Sequence, residues 1–265
     1  MKKLKKTILL ILLLLSGATA LQAQFFYYPF PPTKADYALN EKAQVKICYE
    51  YELSGNEKTL SRTLEYGNEG LPAALYQKGT DDNGDSITIE ESYYKYAKGR
   101  LVQEEVINHE GDGGYKTVYT YNATGRLIEK VVIQADPPTY TYVYDKSGKA
   151  IKATIKVKMP DENEKLADVP QGWEEYTYNA KGQLVQATNY TRDNEKMFIF
   201  QWQYDTNGKI IKVTGLRPEG DLAFEETLEY DKNNLLAKRT TNKPGEEPEM
   251  YVYEYCTDCT QSWKK

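Results

Sequence analysis

The stretch Tyr119-Thr120-Tyr121-Asn122-Ala123-Thr124-Gly125-Arg126-Leu127-Ile128 constrains this chain most, because it recurs. Further copies are Tyr142-Val143-Tyr144-Asp145-Lys146-Ser147-Gly148-Lys149, Tyr176-Thr177-Tyr178-Asn179-Ala180-Lys181-Gly182-Gln183-Leu184 and Trp202-Gln203-Tyr204-Asp205-Thr206-Asn207-Gly208-Lys209-Ile210. Leu228-Glu229-Tyr230-Asp231-Lys232-Asn233-Asn234-Leu235 repeats it with Asn in the glycine place. Each copy spells a strand end, a tight turn and a strand start. Asp or Asn after the second aromatic suits the first position of a type I turn, where its side chain accepts backbone hydrogen bonds. The glycine three residues on supplies the left-handed conformation that closes a hairpin loop, and Asn is among the few substitutes that tolerate it. Aromatics two apart point to one sheet face, so stacked hairpins would lay Tyr119, Tyr121, Tyr142, Tyr144, Tyr176, Tyr178, Trp202 and Tyr204 in a ladder.

The second tyrosine of each unit falls at Tyr66, Tyr96, Tyr121, Tyr144, Tyr178, Tyr204, Tyr230 and Tyr255, in steps of 23 to 34 residues. Two strands and two loops fill such a unit, with insertions placed in the outer loops. The fold expected over 45–259 is therefore all-β, an antiparallel meander of repeated β-hairpins with about 14 to 16 strands forming one curved or partly closed sheet. Leu184, Gln186 and Thr188 alternate with Val185, Ala187 and Asn189, so both faces of such a strand read as mixed. Pro160 to Gly172 reads as an irregular charged loop, and Pro72 weakens the strand it enters.

The copies at Tyr121-Asn122…Gly125-Arg126-Leu127, Tyr144-Asp145…Gly148 and Tyr204-Asp205…Gly208-Lys209-Ile210 resemble the YD (tyrosine–aspartate) repeats of RHS-type proteins. The resemblance runs from about Leu64 to Tyr255. It implies antiparallel hairpins added to one long curled sheet. Large members wrap that sheet into a shell around a toxin; at this length no cargo can be enclosed, and we expect no toxin-delivery role. Cell-wall-binding repeats are also aromatic hairpins, but their units are shorter and richer in tryptophan, of which this chain has three.

The start of the chain has a different character. Lys2, Lys3, Lys5 and Lys6, the apolar run Ile8 to Leu15, and the small residues Ala18, Ala20 and Ala23 spell a secretory signal peptide over 1–23, cut after Ala23. The apolar run is too short to span a bilayer, so no stable membrane span is expected after its removal, and the protein is expected to be secreted or periplasmic. Residues 24–44, opening on Phe25-Phe26-Tyr27-Tyr28-Pro29-Phe30-Pro31-Pro32, read as an extended lead-in covering the edge of the first sheet, and 260–265 as a tail. Net charge is −5 with four cations in the leader alone, which argues against a nucleic-acid partner. Twenty-four tyrosines against six phenylalanines suit half-exposed sheets whose hydroxyls stay wet.

Few residues carry recognisable chemistry. His109 lies in a loop with no nucleophile placed beside it, and reads as an exposed loop residue. Asp81-Asp82-Asn83-Gly84-Asp85-Ser86 resembles a calcium loop but has Ser92 where the bidentate Glu should stand, so a tight Asn83-Gly84 turn is favoured. A hydrolase would have to use Glu90, Glu91, Glu104 or Glu105, which on exposed strands are ordinarily solvated. Cys256 and Cys259 are placed for a disulfide clamping the last hairpin, with Cys48 left over. We therefore expect no catalytic residues, no metal and no cofactor. The expected role is an exported non-enzymatic protein, binding a protein partner or acting structurally in the envelope. The alternative is glycan or cell-wall binding on the aromatic ladder.

Overall fold

A computed structural model describes residues 30–31, 37–67, 69–81, 83–109, 113–133, 138–160 and 166–259. The expected signal peptide over 1–23, most of the lead-in and the tail 260–265 lie outside the described residues. Among the described residues one short helix, α1 (Ala38–Ala43), precedes sixteen strands. These begin β1 (Ile47–Ser54), β2 (Glu57–Tyr66), β3 (Pro72–Thr80), β4 (Ser86–Ala97), β5 (Arg100–Asn108) and β6 (Tyr115–Tyr121). They continue β7 (Leu127–Ile133), β8 (Thr139–Tyr144), β9 (Ala150–Pro160), β10 (Leu166–Tyr178) and β11 (Leu184–Thr191). The last are β12 (Lys196–Tyr204), β13 (Ile210–Leu216), β14 (Leu222–Tyr230), β15 (Leu236–Asn242) and β16 (Glu249–Cys256). Every strand pairs antiparallel with its sequence neighbour, and β1 pairs with β16 from Ile47–Cys256 to Leu53–Met250. The sheet is thus a closed barrel, more complete than the curved or partly closed sheet expected.

The turns obey the chemistry of the repeat. Asp145, Asp205 and Asp231 each turn a carboxylate oxygen back to accept the N–H four residues on, at 2.8–2.9 Å. Gly208 takes φ +88° and Asn234 takes φ 66° at the same place in their turns. A Cβ at position 208 would meet the flexible end of Gln183 at 3.2 Å, so backbone conformation, more than crowding, sets the cost of substitution. Gly208→Val should lower stability by about 1–3 kcal/mol, and Gly208→Asn clearly less. Thermal melting of the two variants checks this; equal melting points would contradict it.

The second tyrosine recurs because it joins one repeat to the previous one. Tyr121 Oη donates to the Leu101 carbonyl at 2.8 Å, Tyr144 to Leu127 at 2.5 Å and Tyr178 to Ala150 at 2.8 Å. Tyr204 donates to Leu184, Tyr230 to Ile210 and Tyr255 to Leu236 at 2.6–2.9 Å. The cation after the glycine lies near the same ring from the previous unit: Arg100 by Tyr121, Arg126 by Tyr144, Lys149 by Tyr178 and Lys209 by Tyr230.

A β-bulge in each repeat explains the mixed faces. Tyr178 pairs with Leu184 but Thr177 with Gln186, so Val185 is passed over. The same slip passes over Val102, Ile128, Ile151, Ile211 and Ala237. An extra residue reverses the parity of the strand beyond it. Leu184, Ala187 and Asn189 therefore all point inward and are buried, although the sequence sets Leu184 against the other two. The inner face carries the core, with Leu101, Leu127, Tyr142, Tyr176, Leu184, Trp202, Ile210, Val213 and Leu228 all buried.

Two expectations about the strands change. Among its described residues the stretch Pro160 to Gly172 is strand, because β9 and β10 extend into it, with Pro170 next to Gln171, the residue passed over where the β9–β10 register slips. Pro72 is the first residue of β3, a position that also tolerates it. The ring leaves no sheet edge free, and most of the lead-in lies outside the described residues. Phe30 lies inside, its ring centroid 4.9 Å from that of Tyr176 and 5.9 Å from that of Tyr142. The short helix α1 brings Tyr37, fully buried, to within 6.5 Å of Tyr66 between ring centroids.

Candidate functional site

The barrel interior holds ionisable side chains that its sequence gives no reason to place there. They form two groups. The first spans the β1–β16 seam, with Glu50 on β1, Arg62 on β2, Glu226 on β14 and Arg239 on β15. Arg239 reaches Glu226 at 3.2 Å and Glu50 at 3.6 Å, while Arg62 meets the other Glu50 oxygen at 3.4 Å. Tyr253 Oη donates to Glu50 at 2.7 Å, and Thr241 Oγ1 donates to Glu226 at 3.2 Å. The Arg239 guanidinium also lies 4.0 Å from the Tyr251 ring centroid. Glu50, Glu226 and Arg239 are all buried. Burial pushes the Glu226 carboxyl above the usual range, and Arg239 and Thr241 partly counter it.

The second group sits across the opposite strands. Glu104 on β5 accepts from Tyr119 Oη at 3.3 Å, and Glu174 on β10 accepts from Tyr176 Oη at 2.5 Å and from Asn189 at 3.4 Å. Lys130 on β7 lies between these carboxylates in charge and stacks its ammonium 4.0 Å from the Tyr140 ring centroid. Two buried acids with one buried amine leave the acids undercompensated. Burial raises Glu104 to about 7, with Lys130 and Tyr119 opposing the rise and Glu90 adding to it. Glu174 is raised and Lys130 lowered, in both cases chiefly by burial.

This burial makes stability depend on pH. The folded chain holds on Glu104 a proton that the unfolded carboxyl, with an ordinary value of 4.5, has already released. Folding stability is then greatest below the unfolded value and falls as pH rises toward about 7. The loss should be on the order of 3 kcal/mol, with Glu174 and Glu226 shifted in the same direction. Denaturant melts between pH 4.5 and 8 check this, with Glu104→Gln expected to flatten the slope. A wild-type profile already flat over that window would contradict it.

The residues singled out from sequence are dispersed. Tyr142, Tyr176 and Trp202 are buried in the core, and Tyr119, Tyr121, Tyr144, Tyr178 and Tyr204 are half-buried against it, so the ladder lines the interior instead of an outer surface. Glu90 and Glu104 point inward, and Glu91 and Glu105 outward by alternation, so the four do not converge. Glu104 is buried, against the expectation of a solvated strand acid, because it faces the core opposite Thr117. His109, largely exposed, approaches Glu91 Oε1 at 3.2 Å, and Tyr93 Oη hydrogen-bonds the same carboxylate. Asp81 uses one carboxylate oxygen to accept the N–H groups of Asn83 and Asp85, each at 2.9 Å, in a tight turn. Cys256 and Cys259 form a disulfide with Cα atoms 5.8 Å apart, and Cys48 is a buried free thiol. Among the described residues no group of three or more His, Cys, Asp or Glu side chains could hold a metal ion.

The outer wall mixes charged with apolar side chains, Ile107, Ile133 and Val143 being exposed on it, where the inner wall is aromatic. Lys95, Glu105, Lys116, Glu129, Lys152, Glu175, Gln201, Lys212, Glu225 and Lys238 alternate with inward residues along the strands. Lys212 and Glu225 pair at 2.6 Å on that face. It also carries one stacked aromatic pair, Trp173 on β10 and Tyr190 on β11, with centroids 5.1 Å apart and planes at 15°. The Lys152 ammonium lies 4.5 Å from the Trp173 ring centroid, and the indole N–H donates to Glu175 at 3.2 Å.

No family model matches the chain, and no curated protein matches it. Among solved structures, a porin-like protein from Bacteroides uniformis ATCC 8492 aligns with a TM-score of 0.50 at 11% identity. The alignment covers 80% of this chain and 98% of that one, a likeness of fold alone. The TcdB2-TccC3 structure aligns with a TM-score of 0.23 at 12% identity, over 78% of this chain but 15% of that one. A DUF1329 family protein from Desulfovibrio piger ATCC 29098 aligns with a TM-score of 0.25 at 9% identity, over 89% of this chain and 98% of that one. Neither of these two carries weight for function.

Proposed function

We propose that this chain is an exported, water-facing β-barrel of the YD-repeat type that serves the cell envelope as a non-enzymatic binding or structural protein. The observation that carries the reading is the orientation of its faces. A barrel in a bilayer turns an apolar band outward and keeps polar groups within, and a Lys or Arg on the lipid face costs about 2–4 kcal/mol at the midplane. Here lysines, glutamates and glutamines stand outward along mid-strand, and the aromatic and aliphatic core stands inward. The signal sequence at 1–23 supports export. The interior acids are engaged with tyrosines, threonine, asparagine and cations, which supports a structural use for them.

The test is fractionation. The mature chain, expressed with its leader, should appear in the periplasmic or medium fraction without detergent and stay monodisperse in plain buffer. Recovery solely from detergent-extracted membranes would reject the reading. An affinity pull-down from envelope extract then identifies the partner of the outer wall.

Glycan binding is a second reading, favoured by the outward pair Trp173 and Tyr190 instead of by the interior ladder. Rings beside Lys152 and Glu175 offer a sugar both an apolar face and polar partners. A glycan array should then give binding that Trp173→Ala reduces at least about tenfold, as loss of a main contact worth over 1 kcal/mol does. An array blank for the wild-type chain would dismiss it.

A further inference from the structure

We infer that the cleft beside the seam, between α1 and the disulfide loop after β16, binds one ring of a neutral sugar through Asn40. The cleft has a volume of about 280 Å³. It is lined by Asn40 of α1, Gln44 and Lys46 of the link to β1, Gly67 and Gly70 of the β2–β3 turn, and Thr257. Gln44, Lys46 and Thr257 are exposed, so the cleft opens to solvent on one side. Asn40 differs from them. It is 1% exposed, and neither its side-chain Oδ1 nor its Nδ2 has a hydrogen-bond partner. A buried amide left unbonded costs stability, and native folds keep few such groups without a use for them. Its terminal torsion is soft, so a small turn presents both atoms to a ligand in the cleft.

The walls are in place before a ligand arrives. Lys46 N–H donates to the Cys256 carbonyl and Tyr66 N–H to the Lys46 carbonyl, each at 2.9 Å, which ties the link to the seam and to β2. The Cys256–Cys259 disulfide closes the loop that carries Thr257. Gly70, at φ +66°, lets the turn press against α1, where a Cβ would lie 2.5 Å from the Glu41 nitrogen.

The same lining favours a neutral ligand. The backbone N–H groups of Val45, Lys46, Gly67 and Gly70 all donate within the chain, so they form no cradle for an anion. Glu41 and Lys46 bring opposite charges to the rim, and among the described residues no group of acids could hold a metal ion. Donors and acceptors are mixed, which suits vicinal hydroxyls, because each can both give and take a hydrogen bond. The volume lies below the roughly 300–1,000 Å³ of drug-sized sites, which suits a single ring.

The probes are the methyl glycosides of glucose, galactose, mannose and N-acetylglucosamine, titrated into the isotope-labelled mature chain and followed by NMR. Glycine betaine is the zwitterionic control. At least one glycoside should shift the Asn40 side-chain amide signals along a saturable curve in the millimolar range. Asn40→Leu, of similar volume, should weaken that glycoside at least about tenfold, read from the backbone amides of Lys46 and Thr257. The same substitution should raise the melting temperature of the ligand-free chain by about 2–4 °C, since it removes the unbonded amide. An asparagine kept for structure would give a fall. No saturable shift with any glycoside, undiminished binding by Asn40→Leu, or an unchanged or lower melting temperature would overturn the proposal. Saturable binding of betaine in place of the glycosides would overturn it too. So would a shift confined to the Trp173 indole N–H, which would put the sugar on the outer wall. None of these results bears on the fractionation test.

Discussion

Arg239→Met is expected to destabilise the barrel by about 3–5 kcal/mol, since removing one member of a buried ion network strands the others without compensation. Arg239 neutralises both Glu226 and Glu50, which are themselves buried, and no water can replace it there. At about 2–4 °C per kcal/mol for a chain of this size, the melting temperature should drop by roughly 10 °C. Replacing the whole group, Arg239→Met with Glu226→Leu, Glu50→Gln and Arg62→Met, should recover most of that loss, because the desolvation cost of the charges vanishes with them. Circular dichroism melts of both variants decide the matter. An Arg239→Met chain within about 1 kcal/mol of wild type would mean that the network is solvated in solution.

The second large effect concerns the seam. Val252 on β16 pairs with Tyr51 on one side and Lys238 on the other, so its N–H belongs to one ladder or the other. Val252→Pro removes that donor and leaves a carbonyl unmatched within the sheet, which together with the local kink should cost about 3 kcal/mol. A linear repeat array would confine the damage to the units on either side. A closed ring behaves otherwise, because opening the seam exposes the aromatic inner face of strands that are remote in sequence. Hydrogen exchange should therefore lose protection around the whole ring by a similar amount. Loss confined to β1, β15 and β16 would show that the hairpins hold together as neighbours, with closure adding little.

Much of this architecture is local and so can be read from sequence. The Asp or Asn and the Gly of each turn encode hydrogen bonds within five residues, and the structure forms them at Asp145, Asp205 and Asp231. Ring closure is another matter. Nothing around Ile47 or Met250 signals that they belong to adjacent strands, since pairing of chain ends is set by strand number and twist instead of by any motif. The inner acids were hidden for a related reason. Glu104 and Glu174 look like ordinary strand carboxylates until register and the bulges decide which way they point. A bulge of one residue, invisible in composition, reverses that decision for everything downstream. The paired tyrosines do share one face, and closure of the ring makes that face the interior instead of an open surface.

The seam also sets a condition on assembly. β1 is synthesised before the other strands of the ring, and its final partner β16 after them. Hairpins can zip one after another meanwhile, yet each incomplete sheet keeps two raw edges, one on β1 and one on the newest strand. Such edges are templates for another copy of the same chain, and a strand of like register binds them best. A chain cut before Glu249 would carry β1 and β15 unpaired for its whole lifetime. It should polymerise edge to edge where the closed ring offers no such edge, so the eight-residue strand β16 is the element that terminates growth.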